Sequence, residues 1–121
     1  MVEMNIKKLK ADATIPTKGS ACAAGLDLYA YVERGVVDIP AGATVKIGTG
    51  IATKRGLRPS NCVGVVDSDY RGEVIVALHN DSDKCETIHH GDRIAQLVIM
   101  PYISVDLHEV DKLPDTDRGA G

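Results

Sequence analysis

The stretch VGVVDSDYRGEV, residues 63–74, sets two aspartates, a tyrosine and an arginine between two apolar runs. Val63, Val65 and Val66 read as one strand, Val74, Ile75 and Val76 as the next, and DSDYRG as the hairpin turn between them. Asp67 then falls where a strand ends, half shielded by the valines before it. A carboxylate so placed can take a proton from water and make that water a better nucleophile. Aspartates in turns also bond backbone amides, and on this pattern alone that plainer role is the commoner one for Asp67 and Asp69. The stretch begins like a calcium loop, but its fifth and twelfth positions are Arg71 and Leu78, which excludes an EF-hand.

Three further stretches carry polar residues in apolar surroundings. In GDRIAQLVIM, residues 91–100, Gly91-Asp92 reads as a tight turn and Arg93 to Met100 as a buried strand interrupted by Gln96. Alternation alone leaves open whether Gln96 simply faces solvent. In AGLDLYA, residues 24–30, Asp27 is an acid inside an otherwise apolar strand, to be satisfied by solvent or by an arginine. RGAG, residues 118–121, lacks the lysine of a phosphate-binding P-loop and by itself signals only flexibility. His89 and His90 are adjacent, so their rings should diverge and not share a metal.

The elements that must position these residues are short. Apolar runs recur at Met4–Leu9, Leu26–Tyr31, Val36–Ile39, Thr44–Ile47, Cys62–Val66, Val74–Leu78, Ile94–Met100 and Ile103–Val110, punctuated by Gly and Pro. This spacing predicts an all-β sandwich or barrel. No window holds a helical period with caps at both ends; Ala21–Gly25 and Thr53–Leu57 have room for one helical turn at most. The 121 residues suit a single domain, read as residues 1–110 with a mobile polar tail at 111–121. With 44% apolar residues, four Tyr, no Trp and no Phe, the core must be built from Val, Ile, Leu and Ala. A formal charge of -3 argues against nucleic acid as partner while leaving room for a small anion held by local donors. Cys22, Cys62 and Cys85 are scattered and odd in number, which predicts reduced thiols and neither a zinc site nor a disulfide framework. MVEMNIKKLK has no long apolar run, so neither a signal peptide nor a membrane span is expected, and the reading is a soluble intracellular protein.

Taken together and in this order, the motifs closely resemble one family, the trimeric deoxyuridine triphosphate nucleotidohydrolases (dUTPases). AGLDLYA is similar to that family's first motif, NCVGVVDSDYRGEV to its third, GDRIAQLV to its fourth and RGAG to the opening of its fifth. The segment IPAGATVKIGTGIA between motifs also matches. The third-motif match is specific enough to reverse the plainer reading of Asp67. The resemblance implies a β jelly roll (β-clip) fold with little or no helix, hydrolysis of dUTP to dUMP and diphosphate by water attack at the α-phosphorus, Mg²⁺ as cofactor and a homotrimer with active sites at subunit interfaces. The activity would limit uracil incorporation into DNA and supply dUMP for thymidylate synthesis, in the cytoplasm, with no nucleic acid or membrane partner. By the same resemblance Asp67 is the base that deprotonates water, and Tyr70 packs on the deoxyribose and leaves no room for a 2′-hydroxyl. Asn61 and the backbone at Gly64 and Val65 contact uracil. Asp27, Gln96 and Arg118 lie near the phosphates and Mg²⁺, which takes no assigned protein ligand.

Two departures from the family pattern stand out. The second motif, an Arg-Ser pair gripping the phosphates, is absent: Ala52 runs straight into TKRGLRPSN. A hairpin's worth of chain, about twenty residues, is missing there. Arg58 and Ser60 do not sit where that pair belongs. The sequence also ends at Gly121, where the fifth motif continues in the family to a phenylalanine that closes over uracil. Two alternatives follow: a nucleotide-binding or inactive relative lacking the second motif, and a dCTP deaminase of the same fold, whose motifs differ from DSDYRGE and GDRIAQ.

Overall fold

The computed structural model describes residues 3–49, the backbone of 57–59, and 63–120. Among the described residues the chain forms seven short strands and no helix: β1 (Leu26–Tyr29), β2 (Val36–Ile39), β3 (Thr44–Gly48), β4 (Leu57–Pro59), β5 (Ile75–Asn80), β6 (Glu86–His89) and β7 (Arg93–Leu97). All pairings are antiparallel: β1 with β7, β2 with β6, and β5 between β3 and β4. Every described strand therefore pairs with one distant in sequence or across a long connection, as a wound sandwich requires.

The core follows from side-chain alternation. Val37 and Ile39 on β2, and Val45 and Ile47 on β3, face inward while Asp38 and Lys46 face out. Ile39, Ile47, Leu78, Ile88, Ile94 and Ala30 meet in one buried cluster, with Val32, Val37, Ala43, Val45 and Val76 packed around it. Full burial of each large aliphatic side chain contributes about 1.5–3 kcal/mol, so seven small strands without Trp or Phe still hold together. Asn80, the one fully buried polar side chain among the described residues, is satisfied throughout. Its amide donates to the carbonyls of Ile39 (2.8 Å) and Lys84 (2.7 Å), and its oxygen accepts from the Ser82 amide and hydroxyl. This ties the end of β2 to the β5–β6 turn.

Turns fall where glycine was seen. Gly42 and Gly91 adopt φ of 74° and 84°, a left-handed backbone that other residues resist. At the second of these, Asp92 closes the β6–β7 turn by accepting the His89 amide at 2.8 Å. Residues 21–25 form turns and bends without a helical turn, and 53–56 lie outside the described residues.

Three expected strands are not strands. Residues 4–9, 63–66 and 103–110 form no ladder. A strand is a pairing, and side chains here such as Val65 (89% exposed), Ile103 (88%) and Leu107 (93%) are not covered by other described residues. The expected Asp67 hairpin is therefore a turn whose exit alone, β5, is paired, and whose apolar entry lies open.

Candidate active site

The turn that carries Asp67 is closed by the Tyr70 amide donating to the Asp67 carbonyl at 3.1 Å. Arg71 staples it from the side: its Nη1 donates to the Ser68 carbonyl (3.0 Å) and to the Tyr70 carbonyl (3.1 Å). The Tyr70 hydroxyl donates to the Glu73 carbonyl at 2.8 Å, which folds the ring back toward the strand exit. Beyond the turn, the Thr49 amide donates to Val74 at 3.3 Å and fastens the exit to the end of β3.

These contacts border an open recess of about 290 Å³ lined by Val65, Val66, Asp67, Tyr70, Glu73, Val74 and Ile75. Two acids and one phenol thus face a wall of valine and isoleucine. Such a recess can hold a flat or cyclic organic group against its apolar side while a carboxylate addresses a water molecule beside it. Asp67 is more open than expected: it is exposed, not half shielded, because the residues 63–66 meant to shield it are unpaired. Glu73 and Ile75 form the wall shared with a second cavity of about 440 Å³, reached by Lys10, Tyr31, Lys46 and Gly48.

A second cluster is built on the β1–β7 ladder, where Asp27 stands opposite Gln96 in register. Asp27 is buried, and its carboxylate accepts from Gln96 Nε2 at 3.2 Å and from Arg93 Nη1 at 3.4 Å. Backbone bonds to Thr17 hold Asp27 in place from the other side. Gly25 lets β1 approach β7 closely: a Cβ there would lie 3.3 Å from the Leu97 carbonyl. The acid pairs with an arginine and Gln96 turns toward it with its own face exposed, so two expected residues meet in one polar patch.

The described chain thus assembles the expected residues as two groups, Asp67 with Val65 and Tyr70, and Asp27 with Gln96. Gly64 is exposed in the entry to the turn, and Arg118 lies in the exposed turn 117–120. Asn61 and the segment following Gly48-Thr49, where the second motif is missing, lie outside the described residues. Arg93 and Glu73 were not singled out in the sequence. The signal for Arg93 was a cation at a strand start in the motif that also supplies Gln96; Glu73 carried none beyond its place after the turn. His89 and His90 diverge as expected, His89 toward Asp92, and His90 toward the Val32 amide, Asp12 and the edge of Tyr31.

A sequence model described as dUTPase matches residues 48–121, which include both Asp67 and Gln96. The chain belongs to the dUTPase family. A deoxyuridine 5'-triphosphate nucleotidohydrolase of Glaesserella parasuis is 37% identical over 134 residues, covering 95% of this chain and 88% of the relative. That of Saccharomyces cerevisiae is 40% identical over 134 residues, covering 98% and 90%. Among solved structures, a dUTPase from Streptococcus mutans superposes with a TM-score of 0.69 at 28% identity, covering 82% of this chain and 97% of that one. A dUTPase of Staphylococcus bacteriophage 80alpha, solved with dUpNHpp, shares the fold with a TM-score of 0.74 at 21% identity. The family fold is the β jelly roll expected from the motifs, and the all-strand architecture here agrees with it. In the Glaesserella match, 95% of 121 residues is about 115 residues set against 134 aligned positions. The aligned span therefore holds about 19 positions without a counterpart in this chain.

Proposed function

We infer that this protein hydrolyses dUTP to dUMP and diphosphate. The observation that carries the reading is the joint placement of Asp67 and Tyr70 on one cavity of a chain that belongs to the dUTPase family. Asp67 takes a proton from water; the water oxygen bonds to the α-phosphorus, the bond from that phosphorus to the bridging oxygen breaks, and diphosphate leaves. Tyr70 packs on the deoxyribose and excludes a 2′-hydroxyl, while Asn61 and the backbone at Gly64 and Val65 recognise uracil. A hydrogen-bonding edge of that kind rejects other bases by leaving polar groups unpaired.

Asp27, Gln96 and Arg118 address the phosphates. The donor set beside Asp27 is one carboxylate, an amide and a guanidinium, and no group of three metal-ligating side chains occurs among the described residues. Asp27 would be the carboxylate nearest a Mg²⁺ ion carried in with the triphosphate, and such an ion would supply charge neutralisation on the phosphates. With the second-motif arginine missing, charge-assisted bonds of about 1.5–3 kcal/mol each are lost from the phosphate grip, which predicts weakened substrate binding before any loss of chemistry.

The reading extends to a homotrimer with sites completed between subunits. Val65, Ile99, Met100, Ile103, Val105 and Leu107 are exposed apolar side chains that subunit contacts would cover. The reading extends to a cytoplasmic enzyme, consistent with the free, exposed thiols of Cys22 and Cys85, that limits uracil in DNA and supplies dUMP. Incubation with dUTP and Mg²⁺ should release diphosphate and dUMP, with no ammonia from dCTP. Binding of dUTP without turnover would favour a nucleotide-binding relative instead, and a sedimentation mass of one 12.9-kDa chain would refute the trimer.

A further inference from the structure

The residue after Arg71 is a glycine whose backbone has no left-handed φ, so conformational freedom does not account for it. Space does. A Cβ at position 72 would lie 2.6 Å from Tyr70 Cζ and 3.1 Å from its Cε2, and would collide with the hydroxyl as well. Real Cβ atoms do not approach ring carbons that closely, so any side chain at 72 must push the Tyr70 ring away. The ring is drawn onto Gly72 by the 2.8 Å bond from its hydroxyl to the carbonyl of the next residue, Glu73. Glu73 is seated in turn on another bare α-carbon: a Cβ at Gly48 would stand 2.6 Å from the Glu73 carboxylate oxygen Oε1.

We propose that Gly72 is the positioning residue of the sugar gate, its missing side chain letting Tyr70 lie back against the turn at the depth that admits deoxyribose and rejects ribose. Gly48 supports the same arrangement by admitting Glu73 against the end of β3. This rests on the reading of Tyr70 as the group that packs on the sugar. Tyr70 contributes the contact; Gly72 contributes where the contact stands.

The test uses the whole protein with Mg²⁺ and compares kcat/KM for dUTP and UTP in Gly72→Ala, Tyr70→Phe and Tyr70→Ala. A second readout is the ring resonances of isotopically labelled tyrosine, which report ring position without substrate. For Gly72→Ala the Tyr70 ring resonances shift and the dUTP-over-UTP preference falls by at least about tenfold, the scale on which pocket shape separates such pairs. The loss falls mainly in the KM of dUTP, because Asp67 is untouched. Tyr70→Phe, which removes the bond to Glu73 without adding bulk, gives a smaller loss in the same direction and keeps the proposal testable should Gly72→Ala fold poorly. An unchanged preference in Gly72→Ala or Tyr70→Phe, alongside a collapse in Tyr70→Ala, overturns the positioning role and leaves the sugar gate standing. An unchanged preference in Tyr70→Ala overturns the gate itself, and the role of Gly72 with it.

Discussion

Replacing Asp27 by Asn tests how the acid on β1 is held. Its carboxylate accepts from Arg93 at 3.4 Å and from Gln96 at 3.2 Å, both long bonds. The acid's side chain is only 11% exposed, but that of Arg93 is 65% exposed. A charge-assisted bond between buried groups is worth about 1.5–3 kcal/mol; with one partner in solvent the figure falls to about 1 kcal/mol. An asparagine keeps one acceptor oxygen, so one donor is lost and not both, and the exposed guanidinium rehydrates at little cost. The expected loss is therefore about 1 kcal/mol, or roughly 4 °C in Tm for a chain of this size. Calorimetry reads this directly, and diphosphate release from dUTP on the same samples should fall more than tenfold in kcat/KM if the acid serves the phosphates. A Tm loss above about 10 °C would mean the pair is effectively buried, since only uncompensated buried charges cost that much, and the solvent-screened description would be wrong. An unchanged kcat/KM would remove Asp27 from the site.

Asn80→Ala should be more damaging to the fold: it strips four hydrogen bonds from a fully buried residue, a loss of about 2–4 kcal/mol visible as a lowered denaturation midpoint with kcat preserved at low temperature. Asn80→Asp should be worse, because it turns a carboxylate toward two carbonyl oxygens. The Tyr31 hydroxyl is held above the usual tyrosine range, by its partial burial first and then by the charges of Asp12 and Glu33 and a hydrogen bond with Asp12. Since the folded state favours the neutral phenol, this contribution to stability is complete below the ordinary tyrosine value and fades as pH rises through the raised one. The chain has four tyrosines, so the Tyr31 transition is read as the difference between the ultraviolet titrations of the protein and of Tyr31→Phe; Asp12→Asn should lower it, and no movement would exclude the Asp12 contribution.

The core and the strands that build it were legible because alternation survives in a single chain: Val45 and Ile47 against Lys46, or Val37 and Ile39 against Asp38, need only one buried face. The runs at 63–66 and 103–110 misled for the same reason. Their apolar alternation marks a face to be covered, and no ladder among the described residues covers it. The motifs singled out Asp27, Gln96, Asp67 and Tyr70 from residue type and order. What they did not disclose is who holds whom: that Arg93 shares the carboxylate with Gln96, or that Gly72 is needed for the Tyr70 ring and not for the backbone. Such packing relations depend on distances of a few tenths of an ångström that a pattern of letters does not carry.

The central claim is that Asp67 acts on the water that attacks dUTP. Asp67→Asn preserves shape and hydrogen-bonding reach while removing the proton acceptor. Single-turnover diphosphate release should fall by about 10²–10⁴-fold, while affinity for a non-hydrolysable dUTP analogue stays within a few-fold of the unaltered protein. Turnover retained within tenfold of the unaltered protein would contradict the assignment.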